Sequence, residues 1–110
     1  MKSPLIAIIV PTYNHEKFIG RCLRSLINQN FAREKYEIIV VDDGSTDRTL
    51  KILNNLSLDF PESIEVLPLP RNVGKGEAVR AGFNYAFERG ATQVLFCDAD
   101  FATGPFDLLR

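Results

Sequence analysis

Residues 36–44 read Tyr36-Glu37-Ile38-Ile39-Val40-Val41-Asp42-Asp43-Gly44: four consecutive branched aliphatics that stop at two aspartates and a glycine. An unbroken β-branched run closed by turn formers is the signature of a short strand covered on both faces. The same signature recurs on either side. Leu5 to Val10 is an isoleucine-rich run with prolines at both ends, and its exit is expected at Pro11. Ile64 to Leu67 is a shorter run closed by Pro68 and Pro70, and Thr92 to Cys97 runs directly into Asp98-Ala99-Asp100.

Between these runs the apolar spacing changes from continuous to helical. From Glu16 to Asn28, Ile19, Cys22, Leu23, Leu26 and Ile27 recur on one face, with Lys17, Arg21 and Arg24 between them. Ser45, Thr46 and Asp47 are residues that cap a helix start, and Leu50, Leu53 and Leu56 continue at helical spacing towards Pro61. From Gly76 to Arg89, Ala78, Gly82 and Ala86 share one line, with Gly90 where a left-handed cap would sit. A helix carrying such a line of small residues can approach a sheet closely.

Strand and helix therefore alternate four times and three times, which predicts right-handed crossovers and a parallel sheet. The expected fold class is α/β, a three-layer Rossmann-like parallel sheet with helices on both faces. Ligands of such sheets bind beyond the carboxyl ends of the strands. The polar clusters obey that rule: Thr12-Tyr13-Asn14, Asp42-Asp43-Gly44, Arg71-Asn72 with Gly74-Lys75-Gly76, and Asp98-Ala99-Asp100 each follow a predicted strand.

Length and composition bound the rest. At 110 residues, 45% of them hydrophobic, the chain holds material for one core, so residues 1–110 are expected to form a single domain. Thirteen Lys and Arg against fourteen Asp and Glu leave a net charge of −1, which gives no broad reason to expect nucleic acid as a partner. Cys22 and Cys97 lack the close spacing of zinc sites or small disulfide frameworks and read as reduced core thiols. No stretch approaches the ~20 apolar residues of a spanning helix, and the amino-terminal run lacks the exit of a cleavable signal. A cytoplasmic protein is expected, with peripheral membrane association left open through segments outside this chain.

Several of these residue types suit one chemistry. Asp98 and Asp100 can offer carboxylates to one hard cation, which holds diphosphate oxygens through few protein ligands and water; alone, the triplet reads more readily as a turn with a solvated aspartate, and its place after a buried strand favours the metal reading. Asp42 and Asp43 could accept hydrogen bonds from a nucleobase or ribose, or could simply serve a turn. The glycine-flanked Lys75 opens a helix, where backbone approach and positive charge suit phosphate. It matches neither the dinucleotide fingerprint nor the P-loop. Tyr13 could cover a base with its ring. His15 reads as part of a helix entry, and no nucleophilic triad can be assembled.

Val10-Pro11-Thr12-Tyr13-Asn14, Val41-Asp42-Asp43-Gly44-Ser45-Thr46-Asp47, Asn72-Val73-Gly74-Lys75-Gly76 and Asp98-Ala99-Asp100, in this order and spacing, resemble the inverting family 2 glycosyltransferases of the GT-A type. The run from Asn72 to Arg80 and the segment Phe96 to Thr103 are closest to the branch acting on dolichyl or polyprenyl phosphate. His15, standing between Asn14 and Glu16, departs from many members of that branch. The resemblance implies a UDP- or GDP-sugar held by Pro11, Thr12, Tyr13, Asp42, Asp43, Asn72, Gly74, Lys75 and Asp98. It implies Mg2+ or Mn2+ at Asp98 and Asp100, and transfer with inversion. It places the catalytic base after the metal motif, so that this chain would be the donor-binding half of a longer domain, inactive alone. Self-association through exposed sheet edges is a further expectation. The alternative is a non-catalytic nucleotide-binding or assembly module retaining only that half.

Overall fold

The structure, a computed structural model, describes residues 6–28 and 36–98. Four strands and three helices alternate: β1 (Ile6–Thr12), α1 (Ile19–Ile27), β2 (Tyr36–Asp42), α2 (Thr49–Asp59), β3 (Ile64–Pro68), α3 (Lys75–Glu88) and β4 (Gln93–Phe96). All pairs are parallel, in the order β3-β2-β1-β4. Every expected element is present, and α1 starts three residues later than its periodicity suggested, after a turn over residues 16–18.

The strands alternate their cargo between two helical layers. Ile8, Val10, Ile38, Val40 and Ile64 meet Ile19, Cys22, Leu23, Leu26 and Ile27 of α1 and Leu53 and Leu56 of α2. Ala7, Ile9, Ile39 and Val41 meet Ala78 and Ala86 of α3 on the other face. Residues 38–41 are each 0% exposed, so the run that predicted a doubly covered strand lies at the centre of the molecule. Each such aliphatic contributes roughly 1.5–3 kcal/mol by its burial, which makes β1 and β2 the thermodynamic centre and β3 and β4 its margins.

The small-residue line on α3 has the expected use. A Cβ at Gly82 would lie 2.6 Å from Ile9 Cγ2 and 3.0 Å from Val41 Cγ2, so the helix rests almost directly on the sheet. It ends as predicted: Gly90 takes φ +94°, and the Ala91 N–H donates to the Ala86 carbonyl at 3.1 Å. Beyond this cap, Arg89 pairs with Glu37 at 2.7 Å and the Tyr85 hydroxyl donates to Glu65 at 2.7 Å, tying α3 to β2 and β3.

Pro11 corrects the expected end of the first strand, which continues through it to Thr12. Alternate residues of a parallel strand bond to opposite neighbours. Ile9 faces β4, its carbonyl accepting the Cys97 N–H at 2.9 Å, and Pro11 shares that side. Pairing with β4 has already ended at Ile9, so the missing N–H of Pro11 forfeits no ladder bond. No helix among the described residues is long and apolar enough to cross a membrane.

Candidate functional site

Because all four strands run the same way, the segments that follow them rise from one rim, and hydrogen bonds lace them together. Asn14, at φ +54°, is the knot between the first two. Its Oδ1 accepts the N–H groups of Thr46 at 2.8 Å and Asp47 at 3.3 Å, while its own N–H donates to Ser45 Oγ at 2.9 Å. The N–H of His15 donates to Thr49 Oγ1 at 3.0 Å, and that of Glu16 to Asp47 Oδ2 at 3.3 Å. Ser45 and Thr46 therefore do not cap α2 as expected; both bond Asn14 across the rim, and Ser45 also bonds Asp42. Arg48 stands at the N-cap position without a side-chain cap bond, and Asp47, one residue earlier, accepts the Thr49 N–H on Oδ1 at 2.9 Å. Partial desolvation is the largest influence on the Asp47 carboxyl and raises its pKa, but bonds from Thr49 and Glu16 outweigh it and hold the pKa below the usual value.

Asp42 and Asp43 are both buried, at 2% and 3% exposure, yet they are used differently. Asp43 is a clamp. Its Oδ1 accepts the Val73 N–H at 2.8 Å, and its Oδ2 accepts the Gly74 N–H at 3.1 Å and Asn72 Nδ2 at 3.1 Å. Gly44, at φ +71°, fits beneath this loop, since a Cβ there would lie 2.4 Å from the backbone of Arg71 and Asn72. Asp43 and Asn72, both expected to touch ligand, thus hold each other. The Asp42 carboxylate receives one hydrogen bond from the described residues, on Oδ1 from Ser45 Oγ at 2.5 Å. Its Oδ2 receives none from them.

On the other side of the rim, Gly74 at φ +97° delivers Lys75 as the first residue of α3. The Lys75 ammonium lies 2.5 Å from Asp98 Oδ1 and 5.1 Å from the Phe96 ring centroid. Both partners are solvated, so this pair adds little stability. Its interest is chemical: a carboxylate at the end of β4 already holds a cation. Asp100 lies outside the described residues, and the described ones contain no group of three metal-ligating side chains. Magnesium and manganese bind through one or two carboxylates plus water and phosphate, and the hard oxygen donor of Asp98 fits that requirement.

Tyr13 is 42% exposed, and Pro11 and Thr12 are buried in the strand end beside it. His15 serves the helix entry as expected: its Nδ1 lies 2.9 Å from Thr12 Oγ1 and accepts the Tyr13 N–H at 3.4 Å. Cys22 and Cys97 are buried thiols in no disulfide, and they are neighbours, which their sequence separation hides. Both thiols point at the Asp98 carbonyl, at 4.0 and 3.6 Å, and a hydrogen bond from Cys22 lowers the Cys97 pKa. Asn14 was expected on the rim, but its bond to Ser45 was not; that signal is visible only across the 31 residues that separate them.

The chain as a whole is similar to known proteins. The chain is 42% identical over 106 residues to a poly(ribitol-phosphate) beta-glucosyltransferase of Bacillus spizizenii, covering 96% of this chain and 16% of that protein. It is 37% identical to a mouse dolichyl-phosphate beta-glucosyltransferase, covering 89% of this chain and 32% of that one. It thus spans less than two fifths of the length of these relatives. Staphylococcus aureus TarS 1-349 in complex with UDP superposes with a TM-score of 0.74 at 36% identity, over 86% of this chain and 27% of that one. The mannosyltransferase PcManGT from Pyrobaculum calidifontis, in complex with GDP-Man and Mn2+, superposes with a TM-score of 0.70 at 29% identity, over 74% and 24%. The sequence model of glycosyl transferase family 2 matches residues 7–109, and by that match and these likenesses the chain belongs to that family.

Proposed function

We propose that this chain binds the donor of a glycosyl transfer, a UDP- or GDP-sugar, and forms the amino-terminal part of a longer catalytic domain. The observation that carries the reading is that an Asp42 carboxylate oxygen bonded by no described residue and the Asp98 carboxylate that pairs with Lys75 lie on the same rim. The Asp42 Oδ2 oxygen is an acceptor suited to a base that offers a ring N–H, as uracil and guanine do. The TarS and PcManGT complexes, with UDP and GDP-Man, support that preference. Tyr13 provides an exposed ring for the base to lie against. Lys75, at the amino terminus of α3, meets the diphosphate with a positive charge that the helix end reinforces.

Asp98, with Asp100, would hold Mg2+ or Mn2+, and PcManGT in complex with Mn2+ supports the use of such an ion. A bound divalent cation supplies charge neutralisation for the departing nucleoside diphosphate. The sugar passes to its acceptor with inversion in one displacement. A hydroxyl acceptor gives its proton to a carboxylate beyond this segment, whereas a polyprenyl phosphate acceptor needs little activation. The dolichyl-phosphate relative supports the latter acceptor class.

Calorimetry with UDP, GDP and their sugars, with and without Mn2+, tests this. The expected result is metal-dependent binding that Asp98→Asn and Asp100→Ala each abolish. Metal-independent binding, or none, would instead favour a non-catalytic module and overturn the proposal.

A further inference from the structure

Ser45 stands between two groups that define how its hydroxyl must point. The Asn14 N–H donates to Ser45 Oγ at 2.9 Å, and Ser45 Oγ lies 2.5 Å from Asp42 Oδ1. A serine hydroxyl carries a single hydrogen. Asp42 Oδ1 has none to give as a carboxylate, so that hydrogen goes to it and the chain of donation runs Asn14 to Ser45 to Asp42. The terminal torsion of an aspartate is soft, and this is the one hydrogen bond that the described residues give its carboxylate. Asp43, one position on, is held by three donors and needs no such help.

We infer that Ser45 is a positioning residue for Asp42, fixing its carboxylate so that Oδ2 meets the nucleobase and thereby setting the preference for bases with a ring N–H. The inference rests on the donor-binding reading above. A carboxylate aimed at a base rejects cytosine, which presents an acceptor where uracil presents an N–H. Once free to turn, the carboxylate loses part of that discrimination while the diphosphate, held elsewhere on the rim, is bound as before. Ser45 touches no ligand atom in this scheme; it acts through Asp42.

The test measures affinity for UDP, GDP and CDP by calorimetry with Mn2+ on the full chain, using the wild type, Ser45→Ala and Ser45→Thr. The wild type should prefer UDP or GDP to CDP. Ser45→Ala should reduce that preference about tenfold, the weight of one hydrogen bond to a charged group, with CDP affinity unchanged. Ser45→Thr keeps the hydroxyl and should restore the preference. An unchanged preference in Ser45→Ala overturns the inference alone, as does an equal weakening of all three nucleotides, which marks a merely structural serine. A wild type that does not discriminate against CDP removes the donor-binding reading and the inference with it.

Discussion

The Lys75 ammonium and the Asp98 carboxylate face each other at 2.5 Å across the mouth of the rim, joining the start of α3 to the end of β4. The same oxygen cannot serve the lysine and a divalent ion equally well. Lys75→Met should therefore raise the affinity for Mn2+ in the absence of nucleotide, by up to about fivefold for a solvated pair. It should lower UDP affinity about tenfold through loss of a charge-assisted contact. Titration with Mn2+ followed by electron paramagnetic resonance reads the first effect, and calorimetry the second. Parallel losses in both would show that the lysine and the ion do not compete.

Asp43→Asn keeps the shape of the clamp but exchanges one acceptor oxygen for a donor that faces the N–H groups of residues 72–74. The variant should lose about 2 kcal/mol in urea unfolding, the cost of a buried donor left without its acceptor. Asp42→Asn, which leaves that clamp intact, should lose less stability and more nucleotide affinity. A reversed order would mean that the two carboxylates have been assigned to the wrong tasks.

Two glycines separate framework from site. Gly82→Ala presses a methyl onto Ile9 and Val41, both inside the core, and should cost about 1–3 kcal/mol by overpacking, with nucleotide affinity retained in the folded fraction. Gly44→Ala meets backbone at 2.4 Å and also a positive φ, so nothing flexible can yield. It should displace the loop over residues 71–74 and reduce both melting temperature and nucleotide binding.

Asp47 predicts part of the acid response. Its folded pKa lies below the ordinary value of 3.8, so its carboxylate contributes stability that is fully present above that value. The contribution disappears as the pH falls through the lower folded value. Denaturant midpoints measured from pH 6 downward should decline less steeply in Asp47→Asn than in the wild type over that acid window. Equal slopes would mean that the bonds from Thr49 and Glu16 do not favour the ionised form.

The layers of the fold were legible because each rests on a local pattern. Ile38 to Val41 announced a doubly covered strand, and Ala78, Gly82 and Ala86 announced a helix lying close to it. Pro11 misled because the effect of proline on a strand depends on which neighbour its nitrogen faces, and that is decided by pairing with β4. Ser45 and Thr46 misled in a related way: a hydroxyl suited to capping was claimed first by Asn14, 31 residues away. The task of Asp43 is not legible locally either, because its partners lie 29 to 31 residues away. The separate tasks of Asp42 and Asp43 come from what the loop over residues 72–74 brings to one and Ser45 to the other. The expectation for Asp100 lies outside the described residues.

The division of labour at residues 42 and 43 makes the rim modular. One aspartate is bolted to the scaffold while its immediate neighbour has an oxygen that no described residue bonds, so under the proposed reading a lineage could retune donor preference at Asp42 or Ser45 without loosening the loop over residues 71–74. An exchange of tasks between the two carboxylates would require rebuilding both loops at once, which makes their order far harder to change than either contact.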